Sequence, residues 1–313
     1  MAIQSNGKIV VVGSSDALGT SDFALARYNA DGSLDATFGV NGLQITNFGN
    51  LEVANAVAIQ SDGKIVVAGW TNVFGTFDFA LARYNADGSL DATFDGDGKK
   101  ITSFGGDDRA NAVAIQKSDG RIVVAGWTNV FGTFDFALAR YNANGSLDVT
   151  FDGDGKKISG FGGDDRANAV AIQKSDGRIV VAGWTNVFGT ADFALARYNV
   201  DGSLDATFDV NGEKITGFGG DERANAVVVQ SNGKIVAAGW TDVLGTFDFA
   251  LARYNADGSL DATFDGDGKK ITSFGSDDRA RAMAIQSNGR IVVAGWTNVF
   301  GTFDFALARF LVE

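Results

Sequence analysis

Apolar residues along this chain fall in short runs, broken every few positions by Gly, Asn, Asp and Ser. Across one stretch the runs are Ala54–Gln60, Lys64–Trp70, Asp78–Tyr84 and Lys99–Phe104. Runs this short, rich in Val, Ile and Phe and bounded by turn residues, predict four strands. No segment keeps an apolar period of 3.6 through three turns, so no helix is expected. SDG, SNG and DGDG between the runs supply the positive-φ positions of tight hairpins. In the third run Phe79 and Leu81 point to one side and Ala80 and Ala82 to the other. Both faces of the sheet are therefore apolar, and both need cover. In the first run Ala54, Ala56 and Ala58 are expected on one face, small enough for a crowded inner edge.

The four-run pattern repeats through the whole chain. Its IVV or IVA core begins at Ile9, Ile65, Ile122, Ile179, Ile235 and Ile291, a spacing of 56 or 57 residues. DFALAR recurs unchanged from Asp22, Asp78, Asp135, Asp192, Asp248 and Asp304. The longer spacings carry one extra residue, Lys117 or Lys174. Sheets apolar on both faces are sandwiched between neighbours when they are arranged as radial blades. The reading is an all-β, six-bladed β-propeller of about 56-residue repeats, one domain over 1–313 with units 1–52, 53–109, 110–166, 167–223, 224–279 and 280–313. The competing β-solenoid has repeats nearer 20 to 30 residues. Only five copies of the fourth strand are found, so the last blade is expected to be three-stranded. Its third strand, Asp304–Phe310, would then be an open edge that invites self-association or a strand from a longer chain.

The unit IQSDGKIVVAGW, DFALARYNADGSLDATF and GDGKKITSFG resembles the delta-sixty repeat, a family of uncharacterised bacterial β-propeller repeats. The resemblance covers essentially the whole chain with near-identical copies. It implies a propeller, commonly part of secreted or cell-surface proteins, and no known activity. An extracellular or surface location is therefore the family expectation. The opening MAIQSNGKIVVVG lacks the pattern of a signal peptide, which leaves a cytoplasmic chain or one that begins after a removed leader.

Composition narrows the chemistry. The chain has no Cys and no His, which excludes thiolate and His-ligated metals and the commonest neutral-pH base. A net charge of −12 disfavours nucleic-acid and anionic membrane partners. No apolar run is long enough to span a bilayer. These features, and the sameness of the repeats, point to a non-catalytic scaffold or binding module with no cofactor and a protein or carbohydrate partner. Two alternatives stand beside it: a calcium-assisted or aromatic-lined carbohydrate-binding propeller, and a carboxylate-based hydrolase or lyase in the central cleft.

Three local patterns carry candidate chemistry. The DGDG pairs Asp95/Asp97, Asp152/Asp154 and Asp265/Asp267 place hard oxygen ligands two residues apart, as calcium loops do. The GVNG and DVNG copies lose acids, and DG and NG are also ordinary turns. The loops after the second strand carry Trp70, Phe74 and Phe77, then Trp127, Phe131 and Phe134, with Trp184, Trp240 and Trp296 in later copies. Aromatic faces bind sugars or peptides, and equally fill the space between blades. The copies of Phe77 are Ser21, Phe134, Ala191, Phe247 and Phe303, a tolerance that implies partial exposure. Adjacent acids at Asp107/Asp108, Asp164/Asp165 and Asp277/Asp278 read as a solvated crossing, with Arg109 paired to one of them. Asp78 and Arg83 read as members of a structural ion-pair network in which Asp91, or an adjacent blade, serves Arg83.

Overall fold

The computed structural model describes residues 1–17, 19–243 and 245–311, all strand, turn or irregular. They divide into two compact units, Met1–Ser159 and Gly160–Glu313. The first holds three four-stranded antiparallel sheets. Blade 1 is β1 (Ala2–Ile3), β2 (Ile9–Ser15), β3 (Asp22–Tyr28) and β4 (Leu43–Thr46). Blade 2 is β5 (Glu52–Ile59), β6 (Ile65–Thr71), β7 (Asp78–Tyr84) and β8 (Lys99–Thr102). Blade 3 is β9 (Asp108–Ile115), β10 (Ile122–Thr128), β11 (Asp135–Tyr141) and β12 (Lys156–Ser159).

In the second unit, blade 4 is β13 (Asp165–Ile172), β14 (Ile179–Thr185), β15 (Asp192–Tyr198) and β16 (Glu213–Thr216). Blade 5 is β17 (Glu222–Val229), β18 (Ile235–Thr241), β19 (Asp248–Tyr254) and β20 (Lys269–Thr272). Blade 6 is β21 (Asp278–Ile285), β22 (Ile291–Thr297) and β23 (Asp304–Phe310), a three-stranded sheet among the described residues. In every sheet the strands pair in chain order. The all-β, six-bladed propeller expected from the repeat is the fold observed.

Within each unit, a blade packs its forward face on the rear face of the next blade. Between blades 1 and 2 the forward side chains Val10, Phe23, Leu25 and Phe38 meet the rear side chains Ala54, Ile65, Val67, Ala80 and Ala82. Phe79 and Leu81 meet Ile122, Val124, Ala137 and Ala139 of blade 3 in the same way. In the second unit Phe193 and Leu195 meet Ile235, Ala237 and Ala250, and Phe249 and Leu251 meet Ile291 and Val293. Large forward residues fill the space above small rear ones, so one sequence tiles the junctions within each unit. Burying each such Phe or Leu contributes about 1.5–3 kcal/mol.

The first strand departs from the simple alternation. The register of β5 against β6 shifts between Ala54 and Ala56, so Asn55 is a bulge residue. Ala54 pairs Gly69 and Ala56 pairs Ala68, which turns Ala56 and Ala58 to the face opposite Ala54. The expectation of one alanine face is corrected accordingly. Gly69 is required here because a Cβ would meet the Val53 carbonyl oxygen at 1.9 Å. The freed Asn55 amide donates to the Ala110 carbonyl of blade 3 at 2.8 Å, and Asn168 and Asn225 repeat the bond within the second unit.

The invariant Arg is structural. Arg83 Nε donates to Asp91 Oδ2 at 2.7 Å, Lys64 Nζ reaches the same oxygen at 2.8 Å, and Thr93 Oγ1 donates to Oδ1 at 2.7 Å. Arg83 also donates to the Ala143 carbonyl of blade 3 and lies over the Phe94 ring. Burial raises the Asp91 carboxyl, but the Lys64 and Thr93 hydrogen bonds outweigh it and hold Asp91 below the usual range. Tyr84, fully buried, donates from its hydroxyl to Thr46 Oγ1 of blade 1 at 2.8 Å. The Arg83–Asp91 part of the expected network is present. Asp78 belongs elsewhere.

Candidate functional site

The loop that follows the second strand is a turn closed by the Gly75 N–H on the Asn72 carbonyl at 2.9 Å. It lifts Phe74 and Phe131 to 74% exposure, as it does Phe188 in the second unit. Below them the Trp residues are packed. Trp127, Trp184 and Trp240 are 6–8% exposed, while Trp70 and Trp296 are half-buried. Phe77 meets Trp70 edge-on with centroids 4.9 Å apart, Phe134 meets Trp127 at 4.9 Å, and Phe303 meets Trp296 at 4.8 Å. The Arg109 guanidinium lies 4.1 Å from the Phe77 centroid, 4.7 Å from Trp70 and 5.4 Å from Trp127. Arg109 makes no ion pair among the described residues, contrary to the expected pairing with an adjacent acid, because the rings capture it as a cation–π partner.

Of the two adjacent acids, Asp107 stays half-exposed and accepts the Phe77 N–H at 3.2 Å, and Asp108 is out of solvent. Asp108 is fully buried and accepts the Phe104 N–H at 2.6 Å, and Asp78 next to it is 1% exposed. Oδ1 of each has no hydrogen-bond partner. Burial pushes the Asp108 carboxyl up against the Thr128 and Phe104 hydrogen bonds, with Asp78 adding to the rise. Burial likewise raises Asp78. The crossing is therefore a buried acid pair, and Asp78 faces an acid rather than an Arg. The arrangement recurs as Asp22/Glu52, Asp192/Glu222 and Asp248/Asp278. Its signal in the sequence was covariation between copies: the acid is Asp108 or Asp278 where the loop residue is Phe77 or Phe247, and Glu52 or Glu222 where it is Ser21 or Ala191.

The DGDG carboxylates are engaged locally. Asp95 Oδ1 lies 3.1 Å from Lys100 Nζ, Asp152 Oδ1 3.1 Å from Lys157 Nζ, and Asp265 Oδ1 2.9 Å from Lys270 Nζ. Asp97, Asp154 and Asp267 each accept the N–H two residues on at 2.8 Å. Asp95 and Asp152 stand at positive φ, and the Asp95 N–H donates to the Asn144 carbonyl of blade 3 at 2.8 Å. No group of three or more acidic side chains is placed to hold a metal ion among the described residues.

A large cavity of the first unit lies at the opposite strand ends, by the SDG and SNG turns. It is a cleft of about 940 Å³ lined by Gln4, Lys8, Gln60, Lys64, Gln116 and Asn144, with Ile3, Ile59 and Ile115 also on its wall. Each Gln ends its first strand: the Gln60 N–H donates to the Lys64 carbonyl at 2.9 Å and its carbonyl accepts from Gly63 at 3.0 Å. Gln4 and Gln60 are 8–9% exposed, and their Oε1 atoms have no hydrogen-bond partner. The ammonium groups of Lys8 and Lys64 reach Asp35 and Asp91 at 2.7 and 2.8 Å. Asp35 and Asp91 are also the partners of Arg27 and Arg83, so each acid serves two cations, and with Lys117 on the same wall the cleft is net positive. Sequence reasoning passed over it. The available signal was a Gln at the end of an otherwise apolar run in all six copies, at Gln4, Gln60, Gln116, Gln173, Gln230 and Gln286.

A family model described as a domain of unknown function (DUF5122) β-propeller matches residues 4–38, 60–94, 117–151, 174–208, 230–264 and 286–312. It agrees with the propeller-repeat character of the resemblance, and the delta-sixty name is not part of the match. No curated protein matches the sequence. Among solved structures, a glucose dehydrogenase is similar with a TM-score of 0.53 at 11% identity, covering 100% of both chains. The β-propeller domain of the Trilobed protease from Pyrococcus furiosus, described as having an open velcro topology, has a TM-score of 0.50 at 10% identity, over 97% of this chain and 80% of that one. A gluconolactonase from Xanthomonas campestris gives 0.45 at 13% identity, over 93% and 84%. These likenesses are of fold. They correct the expectation of a chain marked as non-catalytic by its lack of His and Cys, because a protein named as a dehydrogenase has the same fold over its full length.

Proposed function

Because the chain belongs to the DUF5122 β-propeller family, whose description assigns no activity, we propose a function from the cleft itself: binding of a neutral saccharide at the turn-side cleft of blades 1 to 3. The observation that carries the reading is the pair of buried, unpartnered carboxamide oxygens of Gln4 and Gln60 on a wall that also holds Lys8, Lys64 and Asn144. Sugar hydroxyls donate and accept at once, so they match a wall of mixed acceptors and donors. The ammonium groups of Lys8 and Lys64, each held on a carboxylate, keep further N–H donors for sugar hydroxyls. Ile3, Ile59 and Ile115 on the wall offer apolar contact to ring C–H groups.

A second reading places the sugar on the aromatic loops, and it is favoured by the exposure of Phe74 and Phe131. Titration calorimetry with a panel of neutral oligosaccharides separates the two. Gln60→Leu should weaken binding about tenfold, the value of one buried hydrogen bond of roughly 1.4 kcal/mol. Phe74→Ser should leave it unchanged. Loss on Phe74→Ser with Gln60→Leu neutral would move the site to the loops, and no binding by any sugar would reject the proposal. Following the same mixtures for new reducing ends reports any hydrolysis.

A further inference from the structure

The first strands of blades 5 and 6 carry Arg223 and Arg279, each paired across to the Trp of its own second strand, Trp240 and Trp296. The two guanidiniums share one ring: Arg279 lies 4.8 Å from the Trp240 centroid and Arg223 lies 5.5 Å from it. Arg223 also stands 4.5 Å from Trp184, and Arg279 stands 3.8 Å from Phe247. Two residues on, blade 6 has Arg281 at the bulge, where Asn55, Asn168 and Asn225 stand in other copies. Arg281 is exposed.

Three guanidiniums thus gather in the second unit without a carboxylate partner. Among the described residues Arg223, Arg279 and Arg281 form no ion pair and donate no side-chain hydrogen bond. The repeat does pair its other arginines: Arg83, Arg197 and Arg253 each reach an Asp at 2.6–2.7 Å. Nε of Arg223 and of Arg279 is buried with no partner, while their terminal amino groups stay open to solvent. Burial holds the Arg279 guanidinium below its ordinary value, and Arg281 and Arg223 add to the fall as like charges against the pull of Asp277. Asp277 is itself engaged, its Oδ1 accepting the Phe247 N–H at 3.2 Å. The rings fix the forks in place, and nothing in the unit satisfies their donors.

We propose that Arg223, Arg279 and Arg281 form a binding site for a small polyvalent oxyanion, a ligand with at least two phosphate or carboxylate groups. A guanidinium fork matches the oxygens of either group with two parallel hydrogen bonds. One anionic group is taken by Arg279 and Arg281, and a second by Arg223 on the shared ring. The net charge of −12 repels long polyanions, so a compact ligand fits and a nucleic acid does not. Arg109 serves as the reference: it is stacked on Trp70 and Phe77 in the same manner, but the preceding copy has Val53 in its place, so Arg109 lacks that second guanidinium. The site lies in the second unit, and the inference does not depend on the saccharide reading.

Titration calorimetry of the full chain with inorganic pyrophosphate and with citrate, at matched ionic strength, tests it. The parent should bind at least one of them, and acetate, with its single charge, about tenfold or more weakly. Arg279→Gln should weaken binding by about tenfold or more. Arg281→Asn restores the residue of the other copies at an exposed position, so it should keep the parent melting temperature and weaken binding about threefold. Arg109→Gln should leave binding unchanged. The bound anion should also raise the melting temperature of the parent and not that of Arg279→Gln. Tighter binding of pyrophosphate assigns a phosphorylated ligand, and tighter binding of citrate a polycarboxylate. No binding of either anion overturns the proposal. So does binding that survives both Arg279→Gln and Arg281→Asn, or that Arg109→Gln weakens as much as Arg279→Gln does, the result expected from unspecific attraction.

Discussion

DFALAR in blade 2 and DFALAR in blade 6 are the same six residues in the same strand position, and they meet different surroundings. In blade 2 Phe79 and Leu81 are fully buried, Arg83 is 4% exposed and held by Asp91, and Asp78 faces Asp108. In blade 6 Phe305 and Leu307 stand in solvent, and Arg309 and Asp304 are exposed. The strand forms in both, paired residue by residue with its neighbour. Strand formation therefore depends on the hairpin alone. Burial, ion pairing and the acid pair depend on the next blade and on the SLDATF segment. The motif is a connector whose energy is realised only when a neighbour is present.

The largest contrast should come from the ring. Phe79→Ala removes a fully buried side chain and should cost about 3–5 kcal/mol, while Phe305→Ala should stay within about 0.5 kcal/mol in dilute protein. Chemical denaturation of the two variants measures both. Similar losses would mean that Phe305 is covered in solution. The guanidinium comes next. Arg83→Ala leaves Asp91 buried with Lys64 as its remaining cation, so the loss should sit near the low end of the buried-pair range, about 3 kcal/mol. Arg309→Ala should be nearly neutral. Equal effects at the two positions would contradict the connector reading.

The contrast also marks where sequence reasoning reached and where it ended. Strand order, the three-stranded last blade and the Arg83–Asp91 pair followed from period-two patterning and from a charge that had to be matched inside a sheet. The bulge at Asn55 was hidden because a bulge changes register without changing composition, and Gly69 was its only mark. Asp108 was misplaced because adjacent acids beside an Arg look solvated in one dimension, whereas the Arg is drawn off by Trp70 and Phe77. The cleft was missed because its polar atoms come from the ends of three separate blades, and a Gln closing a strand attracts no notice until three of them converge.

The smallest effect is the one that pH should expose, and it again sets a covered junction against the bare blade 6. Between blades 4 and 5, burial pushes the Glu222 carboxyl up to about 7, against the N–H groups of Gly220 and Phe218 and the Thr241 hydroxyl, with Asp192 adding to the rise. Burial raises Asp192 too, and Asp221 nearby adds to it. Glu222 Oε2 is buried without a hydrogen-bond partner, so a proton on the pair relieves the repulsion between the two acids. A carboxyl raised on folding binds more protons folded than unfolded between its ordinary value, 4.5, and about 7. Its contribution is thus fully present below 4.5 and is lost as pH rises through about 7. Glu222→Gln carries a permanent N–H donor and mimics the protonated acid. Melting curves from pH 5 to pH 8 should fall for the parent by about 2–4 °C more than for this variant. Asp304→Asn, at the exposed counterpart of Asp192, should leave the parent slope unchanged. Parallel profiles for the parent and Glu222→Gln would show that the pair does not hold its proton at the junction.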